Sequence, residues 1–279
     1  MSRGSLSLRG RSLEWGVRTY VMGVVNITPD SFSQDGTSDP DSATAIAVHQ
    51  RDAGSDLLDF GAESTRPGHQ PIDEATELSR LMPVLERFRA QDQTTIVSID
   101  TFKPAVFRRA HAAGGDILNS IWGLDEALLD VALECNAPVI AMHNKSVAVY
   151  RNVVDEVLAS LDATAQHAVR RGMKAENVIL DPGIGFGKTA DHNLELLAAL
   201  DRLVGLGFPT ILGTSRKSTL GKLTGKPVTD RVYGTAATLA FAASAGIDVV
   251  RVHDVDAARD VVRVADAIAR KWRPEGWGA

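Results

Sequence analysis

The chain has 279 residues, 44% of them apolar, and a net charge of -5 from 30 Lys and Arg against 35 Asp and Glu. That length exceeds the commonest single-domain size but lies well inside the range of one α/β barrel. The acidic balance argues against general nucleic-acid binding and leaves a local basic pocket open. The single cysteine, Cys135, excludes an internal disulfide and reads as a small core residue in a reducing compartment. No apolar run approaches the length of a membrane helix and the polar N-terminus has no signal-peptide core, so a cytoplasmic protein with no membrane partner is expected.

Residues 1–18 alternate weakly through Leu6, Leu8, Leu13 and Trp15 and read as an extension or hairpin ahead of one domain at 19–279. Short aliphatic runs then predict strands at Tyr20–Val25, Leu57–Phe60, Ile96–Ile99, Ile117–Leu118, Val139–Met142, Val178–Leu180, Thr210–Leu212 and Val249–Val252. Between and after them, three- and four-residue apolar spacing predicts helices at 41–52, 73–90, 104–113, 125–135, 153–171, 192–206, 231–245 and 257–272. Gly54, Gly114, Gly172, Gly207 and Gly246 stand where helix C-caps are needed. Eight nearly equal β-α units with no linker predict a single closed (β/α)8 TIM barrel, with a doubly wound open sheet as the alternative.

One stretch, Leu180 to Thr189, looks at first like a phosphate cradle. A P-loop needs glycine five positions before Gly187, where Pro182 stands, and the spacing Gly183, Gly185, Gly187 is not that of a dinucleotide fingerprint. What remains is an acid, Asp181, at a strand end, followed by a loop whose backbone can approach something closely.

Barrel chemistry sits where strands end, and here those ends are polar almost without exception. They supply Asn26, Asp59, Asp100-Thr101, Asn119, His143-Asn144, Asp181, Ser215-Arg216-Lys217-Ser218 and Arg251-Val252-His253-Asp254. Any one of them has a bland reading; Asp30, Asp100 and Asp254 all precede helices and suit N-caps. Together they call for a polar ligand, since unpartnered buried carboxylates and amides are costly. Asp100, Asn119 and Asp181 suit the edge of a heterocycle with amino and lactam groups. Arg251 and His253, with Thr65 and Asn26, suit an oxyanion such as phosphate, and Lys217 serves either set. A lone Asn with a few oxygens is the thin ligand set of a Mg²⁺ ion completed by pyrophosphate and water.

The ordered segments 26–33 (Asn-Ile-Thr-Pro-Asp-Ser-Phe-Ser), 61–68 (Gly-Ala-Glu-Ser-Thr-Arg-Pro-Gly), 180–188, 215–218 and 251–255 resemble the motifs of dihydropteroate synthase, over roughly residues 20–272. The resemblance implies a transferase of folate biosynthesis that joins 6-hydroxymethyl-7,8-dihydropterin pyrophosphate to p-aminobenzoate, and a homodimer through its later helices. It implies Asp100, Asn119, Asp181 and Lys217 at the pterin, and Asn26, Thr65, Arg251 and His253 at the pyrophosphate with Mg²⁺ on Asn26. Arg66, Pro67, Phe186 and Ser218 would form the aminobenzoate side, and either Asp35 takes over as the catalytic acid of the first loop by a small shift or that acid is missing. The chain departs from the family pattern at Gln34, where an acid is usual and Asp35 follows, and at Ala62, Ser120, Asn144 and Thr219. Those departures leave sulfonamide sensitivity open. Two competing expectations are a weakly active pterin-binding paralogue and a pterin-binding methyltransferase-type barrel. An aldolase would want a lysine at a strand end, and Lys217 lies beyond one.

Overall fold

Along every barrel strand, alternate side chains face the barrel axis and the surrounding helices. The computed structural model describes residues 3–28, 36–64 and 70–278. A hairpin, β1 (Ser5–Leu8) and β2 (Arg11–Glu14), precedes β3 (Tyr20–Asn26), β4 (Leu57–Gly61), β5 (Ile96–Asp100), β6 (Ile117–Ser120), β7 (Val139–Met142), β8 (Val178–Asp181), β9 (Ile211–Leu212) and β10 (Val249–Val252). The last eight form one parallel sheet in the order β8-β7-β6-β5-β4-β3-β10-β9. A parallel bridge between Leu180 and Thr210, with the Leu180 amide donating to the Pro209 carbonyl at 2.8 Å, joins the two edges and closes the barrel. The predicted strands all form, most of them one or two residues longer at the C-terminal end, where the polar residues sit.

The interior is layered. At the bottom, Tyr20, Met22, Leu57, Ile96, Ile117, Ile140, Ile179, Ile211 and Val249 form one buried cluster with Leu6, Leu13 and Trp15 of the hairpin. Two residues further along four of these strands, the same side carries Asp59, Ser98, Asn119 and Asp181, and on β10 it carries Arg251. Strand register sets Val24 beside Asp59, Asp59 beside Ser98, and Asp100 beside both Gly61 and Asn119. The barrel axis therefore runs from an apolar floor to a polar mouth. The hairpin seals the floor: Arg9 binds Asp116 with contacts of 2.7 and 2.8 Å, and the Trp15 indole donates to the Glu176 carbonyl at 2.9 Å.

The helices are α1 (Pro40–Asp52), α2 (Glu74–Gln91), α3 (Pro104–Ala112), α4 (Glu126–Glu134), α5 (Val153–Arg170), α6 (Ala190–Ala198), α7 (Leu200–Val204), α8 (Ser218–Thr224), α9 (Val232–Ala245) and α10 (Val255–Ala269). The helix predicted at 192–206 is broken at Ala199, which leaves the helical region at φ -115°, ψ 25°. It starts earlier than predicted because Thr189 and His192 form a reciprocal cap. The short α8, absent from the sequence reading, follows the mouth loop of β9 and ends at Gly225 in the left-handed conformation. Asp254 does not cap α10; its carboxylate is taken by Arg216.

Candidate active site

Asp59 is fully buried and organises the centre of the mouth. It accepts from the Arg251 Nε at 2.6 Å and, through both oxygens, from the Asn119 amide at 3.1 and 3.2 Å. Because Asn119 spends its NH₂ on this carboxylate, its carbonyl oxygen is the group left for a ligand. Arg251 also reaches Asp100 at 3.1 Å, so one guanidinium serves two carboxylates and Asp59 holds the closer contact. Burial, then the charge of Asp59, raises the Asp100 pKa, and Arg251 opposes that rise. Asp181 ends β8 and accepts from the Gly183 amide at 2.7 Å; burial raises its pKa, against that hydrogen bond and the charges of Lys217, Arg251 and Lys188.

At the β10 side of the mouth, His253 follows that strand. Burial first, then the charges of Arg251 and Arg216, press its pKa to about 3, so it is neutral near pH 7. Ser215 Oγ accepts from the His253 amide at 3.2 Å and lies 3.0 Å from its Nδ1. With its own proton on Nδ1, the serine leaves His253 an Nε2–H donor, not a cation. Arg216, held at φ 59°, grips Asp254 at 2.6 and 3.1 Å and ties the loop after β9 to the loop after β10. Arg231, also on the cavity wall, donates to the carbonyls of Arg216 at 2.9 Å and Lys217 at 3.4 Å, clamping that loop.

These groups surround one cavity of about 400 Å³, which Asn26, Asp100, Asn119, Asp181, Phe186, Lys217, Ser218, Arg251 and His253 all line. The Lys217 ammonium sits 4.0 Å above the Phe186 ring. Ile121, Met142 and Ile184 add apolar surface between the polar groups. Such a mixture of apolar wall and few convergent polar groups suits a small planar ligand with an anionic tail.

Thr219, one of the departures from the family pattern, is buried, and its hydroxyl accepts from the Asn193 amide at 3.0 Å. Asn193 in turn accepts from the Gly185 amide at 2.9 Å. A bulky apolar residue would leave the Asn193 amide without that acceptor, so Thr219 acts on the glycine loop through Asn193. Ser120 is also fully buried and accepts weakly from the Trp122 amide at 3.4 Å, a role a small hydroxyl fills.

Asp35, Thr65, Arg66 and Pro67 lie outside the described residues. The structure brings the other expected residues together. Asp59 was named in the sequence only as a strand-end acid, and Arg231 only as a helix start. Alternation along β4, which puts Asp59 on the same side as Leu57, was the available signal for the first; nothing in the sequence marked the second.

A family model described as pterin binding enzyme matches residues 22–253. Dihydropteroate synthase of Clostridium beijerinckii is 40% identical over 270 residues, 95% of this chain and all 100% of its own. Dihydropteroate synthase of Xanthomonas albilineans, solved with 4-aminobenzoic acid, has a TM-score of 0.89 at 39% identity, covering 98% of this chain and 100% of that one. The Thermus thermophilus enzyme in complex with 6HMPPP gives 0.83 at 40% identity, covering 95% and 99%. Identity of this order over nearly the whole chain places it in the dihydropteroate synthase family.

Proposed function

We propose that this mouth is where the transferase carries out the dihydropteroate synthase reaction, joining 6-hydroxymethyl-7,8-dihydropterin pyrophosphate to p-aminobenzoate and releasing pyrophosphate. The observation that carries the residue assignment is the convergence on one cavity of acceptors (Asp100, Asp181, the Asn119 carbonyl) and donors (Arg251, neutral His253, Lys217). The acceptors match the amino and lactam N–H groups of a pterin, and the donors match its oxyanion tail. Phe186 and Ser218, at the Lys217 side of the cavity, form the described part of the aminobenzoate wall. The Xanthomonas structure with 4-aminobenzoic acid and the Thermus structure with 6HMPPP support both substrate classes.

In the reaction the bond from the pterin methylene to the pyrophosphate oxygen breaks, the aniline nitrogen bonds to that carbon, and the nitrogen passes a proton to the released pyrophosphate or to water. Arg251, a cation on the cavity wall, and His253, a neutral N–H donor there, receive the departing anion. Asp100 and Asp181, buried at the ring edge, stabilise the electron-deficient pterin left behind, which favours a dissociative, S_N1-like path. Neither carboxylate needs a new proton for this role.

Among the described residues no group of three or more His, Cys, Asp or Glu is arranged to hold a metal ion. The Asn26 amide oxygen, at the end of β3 on the cavity wall, is one hard ligand of the kind Mg²⁺ accepts when pyrophosphate and water complete its shell. The residues therefore fit a Mg²⁺ that arrives with substrate, and when bound it would neutralise charge on the leaving group. We extend the reading to a cytoplasmic homodimer: no helix among the described residues is long and apolar enough to cross a membrane, and α9 and α10 expose Tyr233, Phe241, Val264 and Ile268. Sedimentation tests the dimer; a monomer at micromolar concentration ends that part. A pyrophosphate-release assay with Mg²⁺, with and without p-aminobenzoate, tests the function. Release that depends on p-aminobenzoate is expected, whereas pterin binding without release would mark a binding paralogue.

A further inference from the structure

Lys188 closes the glycine stretch and is absent from every assignment above. It is not a surface residue: its ammonium lies between the loop after β8 and the loop after β7. It donates to the Phe186 carbonyl at 3.0 Å, to the His143 carbonyl at 3.1 Å, and to His143 Nδ1 at 3.1 Å. A lysine ammonium has three protons, and these three acceptors use all of them. His143 can accept only as the neutral ring protonated on Nε2, and burial, with Lys188 and Lys145 beside it, presses its pKa to about 4.

The glycines explain how the two loops come so close. A Cβ on Gly183 would stand 2.0 Å from the His143 carbonyl oxygen, and one on Gly187 would stand 2.1 Å from that of Lys145. Gly183 and Gly187, at φ +69° and +56°, thus let backbone meet backbone across the loops, while Gly185 faces the Lys217 side chain. Tyr150 adds a second tie by donating to the Gly187 carbonyl at 2.9 Å. Phe186 sits in the middle of this seam. Its carbonyl is held from behind by Lys188, and its ring lies 4.0 Å from the Lys217 ammonium in front.

We propose that Lys188 is a positioning residue that fixes the Phe186 ring, and with it the pairing of Phe186 and Lys217 that walls the aminobenzoate side of the cavity. The inference rests on the substrate assignment above. Lys188 touches neither substrate in this scheme; it sets where the second one lies.

The charges around Lys188 give the latch a pH signature. Burial lowers its pKa from 10.5 to about 7, with Lys217 and Lys145 lowering it and Asp181 raising it. These, with neutral His143, are the groups that face it from β8 and from the loops after β7 and β9. As pH rises through about 7 the ammonium loses a proton and one of its three acceptors loses its donor. Folding stability moves the other way, because between about 7 and 10.5 the unfolded chain binds a proton that the folded chain does not. A loosening of the site without loss of stability is therefore expected above neutral pH.

The test is steady-state kinetics on the full chain as wild type, Lys188→Met and Lys188→Arg, near pH 6.5 and pH 8.5, with thermal melts alongside. For Lys188→Met the p-aminobenzoate KM is expected to rise roughly 10-fold at the lower pH, with the pterin pyrophosphate KM within about twofold. The wild-type rise in p-aminobenzoate KM between the two pH values should vanish in Lys188→Met, and Lys188→Arg should restore most of the affinity. Equal changes in both KM values together with a lower Tm would make Lys188 merely structural, and an unchanged p-aminobenzoate KM would also overturn the proposal. Should Lys188→Met fail to fold, a wild-type p-aminobenzoate KM that stays flat across this range overturns it as well. A wild type that releases no pyrophosphate removes the substrate assignment itself, a different failure from a fully active wild type with an indifferent Lys188.

Discussion

The two ends of this barrel both bury carboxylates, and they use them differently. At the floor, Asp248 accepts from Arg3 at 2.8 Å, the Gly16 amide at 2.7 Å, and the Thr210 amide and hydroxyl at 2.9 and 3.2 Å. Asp116 is filled in the same way by Arg9, by Arg89 at 2.9 Å and by the Val97 amide at 2.9 Å. At the mouth, among the described residues, Asp181 accepts from the Gly183 amide alone, and Asp100 from Arg251 alone at 3.1 Å. A carboxylate can take about four hydrogen bonds, so the floor acids are saturated by the protein itself, Asp59 at the mouth is largely filled by Arg251 and Asn119, and Asp100 and Asp181 keep capacity for something else. Burial alone does not separate structure from function here; unused acceptor capacity beside a cavity does.

That contrast can be broken most directly at its extremes. Asp181→Asn keeps the shape of a mouth acid and removes its charge, and kcat/KM for the pterin pyrophosphate is expected to fall roughly 10²- to 10³-fold, as for loss of one preorganised group. Its Tm should hold or rise slightly, because desolvation already works against the charged form. Unchanged turnover would remove Asp181 from the chemistry. At the floor the reverse is expected. Asp248→Ala strands the donors of Arg3, Gly16 and Thr210 and should cost about 3 kcal/mol of stability in urea unfolding, with kcat within about twofold of wild type. A large loss of kcat in a variant that remains folded would show that the floor is coupled to the site after all.

Two further effects sharpen the comparison. Thr219→Val removes the acceptor for Asn193, which holds Gly185, and should cost about 1 kcal/mol of stability while raising a substrate KM about threefold. No change in either quantity would mean that Asn193 finds another acceptor. The last comparison is made by pH. His253 is held neutral, with a pKa near 3 against an ordinary 6.5, so between those values the unfolded chain binds a proton that the folded chain refuses. This residue therefore contributes stability that is lost as pH falls from about 6.5 towards 3. Urea titrations of His253→Gln across that window should show a shallower acid loss than wild type, and an identical slope would mean that His253 is protonated in the fold.

Much of the site was legible because a barrel converts sequence position into place. Asp100, Asn119, Asp181 and Arg251 each stand in or at the end of an aliphatic run, and period-two alternation with parallel register brings them to one mouth. The partnerships were not legible, because they join residues distant in the chain. Arg251 and Asp59 are 192 positions apart, and no local pattern says that the supposed phosphate ligand is already shared between two acids. The break at Ala199 and the added α8 are similar cases, which no local pattern in the sequence marked.

The glycine stretch divides the two sources of information most clearly. By itself the sequence determined that 183–187 is a close-approach loop behind a strand-end acid, since three glycines in five residues leave the backbone free of side chains, and that the spacing fits no nucleotide fingerprint. Only the tertiary structure decided what the loop approaches, which is the neighbouring loop at His143 and Lys145 with Lys188 bound between them. The physical reason is that steric permission is a local property of the chain, whereas the partner of a buried charge is fixed by whichever strand the barrel sets beside it.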